Sequence, residues 1–164
     1  MKTSTIIIFV LLAAFSRSLH AQVYTGGNAS VGYDNGWYAD IAPIIGYQIE
    51  RYRVGVSPIF SYRTYVNSSQ VWSYGGRIFN QVDIVQGAFA HAEFQILNTE
   101  YVYVYPDGNV KTRVWVKSLP VGAGYQYPIS DRASFQAIVL YDLLQDKRSV
   151  YNKPTFRAGV IYRF

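Results

Sequence analysis

Phe156-Arg-Ala-Gly-Val-Ile-Tyr-Arg-Phe164 is the stretch that decides the fold. Phe156, Ala158, Val160, Tyr162 and Phe164 fall on one face at strict period two, and Thr155, Arg157, Gly159, Ile161 and Arg163 fall on the other. That alternation belongs to a strand, since a helix would repeat every 3.6 residues. Terminal segments usually fray, so a strand this apolar needs something to dock against. A protein core and a membrane both qualify.

The other end of the chain reads as a secretory signal peptide. Lys2 supplies a basic start, Thr5 to Phe15 an apolar run of eleven, and Leu19-His-Ala21 a small-residue cleavage pattern before Gln22. Eleven residues are too few for a membrane-spanning helix, which takes about 20. The expected organisation is a signal peptide over 1–21 and one β-barrel domain over 22–164.

Composition narrows the class. There is no cysteine, so an exported chain of this kind must be held by packing and backbone hydrogen bonds. Without Lys2 and Arg17, 13 basic residues face 10 acidic ones, a bias too weak to argue for nucleic acid. The chain has 16 Tyr, 9 Phe and 3 Trp, which favour strands, and beyond residue 21 no segment repeats at 3.6.

The alternation predicts eight strands, at 23–34, 37–49, 52–66, 71–83, 86–104, 111–127, 133–145 and 154–164. The turns after the second, fourth and sixth are compact, whereas those after the first, third, fifth and seventh are longer on average. Outer-membrane barrels are arranged in this way. One face of each strand is apolar: Trp37, Ala39, Ile41, Pro43, Ile45 and Tyr47 in the second; Val54, Val56, Pro58, Phe60 and Tyr62 in the third; Phe135, Ala137, Val139, Tyr141 and Leu143 in the seventh.

The polar face says which side looks outward. A water-facing exterior normally carries lysine and glutamate, yet residues 22–164 contain only Lys111, Lys117, Lys147 and Lys153, all in or near expected loops. The mid-strand polar positions hold Arg, Gln, Asn, Ser, Asp and Gly instead, a set suited to a hydrogen-bonded interior. Asp40, Glu50, Asp83, Glu93 and Asp142 are balanced by Arg53, Arg63, Arg77, Arg157 and Arg163, and arginine bonds carboxylates bidentately. Aromatic residues gather near strand ends on the apolar face, as in membrane-barrel girdles. The expectation is an eight-stranded antiparallel up-and-down transmembrane β-barrel, closed by 156–164 against the first strand.

Several motifs resemble the small outer-membrane β-barrel proteins of Bacteroidota-type bacteria. Ala42-Pro-Ile-Ile-Gly-Tyr-Gln-Ile49 is similar to that family's Pro-x-x-Gly-Tyr strand. Tyr74-Gly-Gly-Arg-Ile-Phe79 with Ala88-Phe-Ala-His-Ala-Glu-Phe94 resembles its fourth and fifth strands. Ser118 to Ile129 followed by Ala133 to Leu144 is the most specific match. The resemblance implies the fold, an outer-membrane location, and recognition of Phe164 by barrel-assembly machinery. It implies no activity.

Three features depart from a regular barrel. Pro43, Pro58 and Pro120 fall inside strands, where each removes a ladder donor. In the sixth strand the apolar set moves from even positions (Val114, Val116) to odd ones (Leu119, Val121, Ala123), which predicts a bulge near Lys117–Ser118. Glu100 breaks the outward set of the fifth strand, so either that strand leaves the membrane before it or a second bulge intervenes.

Chemistry is sparse. His91 and Glu93 share the inward face, and with Ser57 or Ser61 they have the composition of a hydrolase triad; a structural lumen histidine is the preferred reading. Nothing in the sequence calls for a metal or a cofactor. Lys111, Arg113, Lys117, Lys147, Arg148 and Lys153 offer charge to lipopolysaccharide phosphates. The expected function is a non-enzymatic, monomeric outer-membrane protein in contact with outer-membrane lipid, structural or surface-interacting, with a side-chain-filled lumen. The alternatives are a lipid-modifying barrel enzyme using His91 and a soluble periplasmic lipocalin-like carrier.

Overall fold

The computed structural model describes residues 22–33, 36–65, 70–105, 108–146 and 154–164. The expected signal peptide lies outside them. Nine strand segments follow in chain order: β1 (Gln22–Tyr33), β2 (Gly36–Ile49), β3 (Tyr52–Tyr65), β4 (Gln70–Val85), β5 (Ala88–Tyr105), β6 (Gly108–Ser118), β7 (Pro120–Pro128), β8 (Ala133–Asp142) and β9 (Thr155–Arg163). All pair antiparallel. β6 and β7 both pair with β5 and are two halves of one stave, so the barrel has eight staves. It closes through β1 on β9, where Ala29 faces Ala158 and Tyr24 faces Arg163. The closed part of the wall leaves no edge open; toward the loops β6 extends past it, paired with β5 alone.

The alternation in the sequence becomes the two sides of this wall. Trp37, Ile41, Ile45, Phe60, Val139, Phe156 and Val160 stand exposed on the outside, Trp37 at 64% and Phe156 at 67%. Arg53, Ser57, Ser61, Arg77, Glu93, Gln136 and Arg157 are buried in the lumen.

Two expectations about regularity are corrected. No bulge lies at Lys117–Ser118: Gln95 pairs with Ser118 and Ala92 with Val121, one register on both sides of Leu119. The even positions therefore point inward throughout, and Val116 is buried in the lumen directly opposite Leu97. The lumen accepts apolar side chains as well as polar ones, so the apolar Val114 and Val116 required no slip. The shift that does occur lies between Asp83 and Val85, beside the β4–β5 turn. For Glu100, the β5–β6 register runs unbroken through its pairing with Arg113, so no bulge intervenes there.

The prolines are tolerated by position. The β2–β3 register puts Pro43 opposite Pro58, and the ladder is interrupted between the Ile41–Phe60 and Ile45–Val56 pairs. A proline lacks only the N–H, so two facing prolines concentrate both losses in one gap and leave the register intact. Pro120 sits at the break between β6 and β7, where Leu119 N donates to Asp142 Oδ1 at 2.8 Å instead.

Three aromatic side chains fill the lumen, each lying against a glycine directly across the ladder: Tyr24 on Gly46, Phe79 on Gly55, and Phe89 on Gly124. A ring covering a cross-strand glycine replaces the packing that the glycine lacks. A Cβ on Gly124 would sit 2.5 Å from Phe89 Cζ, whereas one on Gly27 would meet nothing nearer than 3.7 Å. Gly124→Ala is expected to lower stability by about 1–3 kcal/mol through overpacking, and Gly27→Ala by far less. Chemical unfolding of the two variants in detergent checks the contrast; equal effects would contradict it.

Candidate functional site

The lumen gathers its charges into clusters. At the waist, Glu93 of β5 is 1% exposed and accepts from Arg157 Nη1 of β9 at 2.7 and 2.8 Å, one bond to each carboxylate oxygen. Arg77 Nη1 of β4 lies 3.4 Å from Glu93 Oε2. His91, two residues away on the same face, approaches the same oxygen with Nε2 at 3.0 Å, while its Nδ1 faces Gln81 Nε2 at 3.0 Å. With the amide donating to Nδ1, the remaining Nε2–H donates to Glu93. The imidazole stacks on Phe79, 5.6 Å between centroids. Asn28 completes the group, its amide oriented so that oxygen faces Arg77 Nη2 at 3.2 Å and nitrogen faces Gly27 O at 3.3 Å.

A second cluster lies toward the short-turn end. Arg53 donates to Asp83 and to Gln126 Oε1, and its guanidinium sits 5.0 Å above the Phe89 ring. Gln136 Nε2 also donates to Gln126 Oε1, at 3.1 Å. Arg163 reaches Ser134 Oγ at 3.4 Å. Toward the loop end, Ser30 donates to Asp40 at 2.8 Å, Arg63 covers the Tyr38 ring at 5.2 Å, and Ser73 bonds Thr99 at 2.8 Å. Asp142 accepts from the backbone N–H of Leu119 and of Leu144, tying the end of β8 to the β6–β7 break.

Of the residues singled out from sequence, Glu93, Arg77, Arg157 and His91 meet in one cluster, and Arg53 with Asp83 in another. Glu50 is in neither: it is exposed in the β2–β3 turn, with a left-handed φ of 51°. Phe164 is exposed, its N–H donating to Val23 O at 3.2 Å and its ring edge-on to Tyr162. The sequence reading missed Gln81, Gln126 and Gln136, which occupy the same inward period as the charged residues and carry their hydrogen bonds.

The hydrolase arrangement is not assembled. His91 has Gln81, Glu93 and Phe79 for neighbours, and the Ser57 hydroxyl donates to Pro58 O at 3.1 Å. No group of three metal-ligating side chains occurs among the described residues. Beside the waist, between Asn28, Asp40, Arg77 and Arg157, the remaining gap is about 10 Å³, room for at most one water.

No protein-family model matches the chain, and no curated protein matches it. Solved structures do. Neisserial surface protein A is 15% identical over 88% of this chain and 97% of its own, with a TM-score of 0.49. The outer membrane protein Ail of Yersinia pestis, in a phospholipid bilayer nanodisc, is 17% identical over 90% and 100%, with a TM-score of 0.45. The N-terminal β-barrel domain of Pseudomonas aeruginosa OprF is 14% identical over 88% and 96%, also at 0.45. At such identities and scores no role passes from them to this chain.

Removing one partner from a buried ion pair leaves the others uncompensated. Glu93→Gln keeps the volume and removes the charge that Arg77, Arg157 and His91 share. It is expected to destabilise the barrel by about 3–5 kcal/mol, measured by urea unfolding in detergent. A loss below about 1 kcal/mol, typical of exposed pairs, would show that the cluster is hydrated.

Proposed function

We propose that this chain is an integral outer-membrane β-barrel that catalyses no reaction and acts through its surface. The observation that carries this reading is the inverted distribution of side chains: apolar residues cover the outside of the wall, and carboxylates and guanidinium groups pair within it. Soluble monomers rarely expose a contiguous apolar patch beyond about 300–600 Å². In hydrocarbon the same surface is solvated, and a closed barrel satisfies every ladder. Outward aromatics at both rims support it: Tyr33 with Trp37, half-buried Tyr62 with Trp72 and Tyr74 with Trp115 toward the loops, and Tyr162 with Phe164 toward the short turns. The motifs at 42–49 and 118–144 support a place among the Bacteroidota-type barrels, with Phe164 as the assembly signal.

The filled waist argues against transport, and the enclosure of His91 argues against lipid chemistry. Around its closed part the wall needs no second chain to cover an edge, which favours a monomer. The surface role is assigned to the loop end. There, on the outer face of β6, Arg113 and Lys117 are exposed around Trp115. Arg113 donates to Asn98 Oδ1 and to Trp72 O and covers the Tyr74 ring at 5.0 Å. Cations beside interfacial aromatics are placed for lipid phosphates, those of lipopolysaccharide above all. Lys147, Arg148 and Lys153 lie outside the described residues.

Membrane fractions run on a denaturing gel with and without boiling test the location. A band retained in the outer membrane whose mobility shifts on boiling is expected. A soluble periplasmic band without the shift would return the problem to a lipocalin-like carrier. For the surface role, Lys117→Gln is expected to weaken lipopolysaccharide binding several-fold in a pull-down at low salt, and unchanged binding would remove that partner.

A further inference from the structure

The short-turn mouth contains a cavity of about 410 Å³, bounded by the β2–β3 and β4–β5 turns and by the barrel-end residues of β7, β8 and β9. Ligand sites commonly fall between roughly 300 and 1,000 Å³. Its chemistry follows from which hydrogen-bonding groups are already committed. Gln126 Oε1 accepts from both Arg53 and Gln136, which fixes the amide and leaves its NH₂ for the cavity that Gln126 lines. Asp83, the acid among the lining residues, is held by Arg53. Arg51 and Arg163 line the same space, and the Arg163 guanidinium makes a long bond of 3.4 Å to Ser134 Oγ.

The mouth therefore presents donors in excess: two guanidinium groups, which can only donate, and an amide NH₂. Guanidinium groups match the two coplanar oxygens of a carboxylate. The remaining wall asks for more than an anion. Gln48 donates through Nε2 to Glu50 O at 3.3 Å, which leaves its carbonyl oxygen as an acceptor, and Ile84, Val85 and Pro128 supply an apolar flank. A carboxylate beside an N–H donor and an apolar side chain is the chemistry of a peptide's C-terminal end, and backbone and side-chain donors commonly capture such groups.

We propose that the short-turn mouth binds the free carboxylate end of a short peptide. Arg51 and Arg163 hold the carboxylate, Gln126 donates to it and Gln48 accepts a peptide N–H, while Asp83 stays held by Arg53. This site is separate from the surface role above and does not require it.

The test is calorimetric titration of the detergent-solubilised full-length barrel with trialanine, with trialanine amide and with inorganic phosphate. Trialanine is expected to bind, its amide at least tenfold more weakly, and phosphate more weakly than trialanine. Arg51→Gln, at an exposed turn position, is expected to lower trialanine affinity at least tenfold while leaving the heat-shifted gel band unchanged. Arg163→Gln is expected to do the same; its position in the closing strand makes Arg51→Gln the decisive variant if Arg163→Gln fails to fold. Equal affinity for acid and amide, tighter phosphate binding, no binding, or indifference to Arg51→Gln would each overturn the proposal.

Discussion

A lumen eight staves wide cannot keep a charge hydrated, and the rest of this structure answers to that constraint. Each ionised group placed inside must find a partner, on a neighbouring strand or across the barrel, because a buried ion without one costs several kcal/mol. Glu93 is the clearest case. Its carboxylate takes both oxygens to Arg157 and shares one of them with Arg77 and His91. These groups come from β4, β5 and β9, so the cluster forms only when the sheet has closed. Closure and charge pairing support each other: the curved wall brings Arg157 of β9 across to Glu93 of β5, and that pair in turn holds β9 to the far wall.

The wall itself was legible in the sequence. Period two in 156–164, in 37–49 and in 133–145 assigns outward and inward residues correctly, because a half-buried strand has no other way to sort them. The scarcity of lysine outside expected loops then separates a lipid-facing exterior from a watery one. Where reading failed, it assumed that an apolar residue must face lipid. Val116 is buried in the lumen opposite Leu97, and Val114, half-buried opposite Thr99, shares its inward face, so no bulge is needed to turn them outward. An interior this narrow holds rings and aliphatics beside ions, so hydrophobicity alone does not assign a face there.

The partners inside the lumen were less legible than its members. Spacing along one strand shows that His91 and Glu93 share a face, but Arg157 is 64 residues from Glu93, and only the barrel's stagger decides which arginine arrives. Five arginines and five acids suggested simple pairing. The structure sets two arginines and a histidine on Glu93 and leaves Glu50 in a turn, while Asp142 also accepts from two backbone N–H groups. Alternation places glutamines on the inward face, but balancing charges does not say which ions they bond. Gln126 accepts from Arg53 and Gln136, and Gln81 donates to His91; such amides supply the hydrogen bonds that isolated ion pairs lack.

This division of labour explains why the two mouths differ. The waist is filled by paired charges and by aromatic rings laid on glycines, so little can pass or bind there. Toward the loops, the β5–β6 ladder reaches Tyr105 and Gly108, and loop-ward of Ile96 its outer face carries Asn98, Glu100 and Arg113 around Trp115, a change suited to leaving hydrocarbon. Toward the short turns, the lumen opens while its walls remain lined by arginine and amide groups. A barrel that seals its middle so thoroughly can recognise molecules only at its rims. The polarity of each rim is therefore a better guide to function than the fold that connects them.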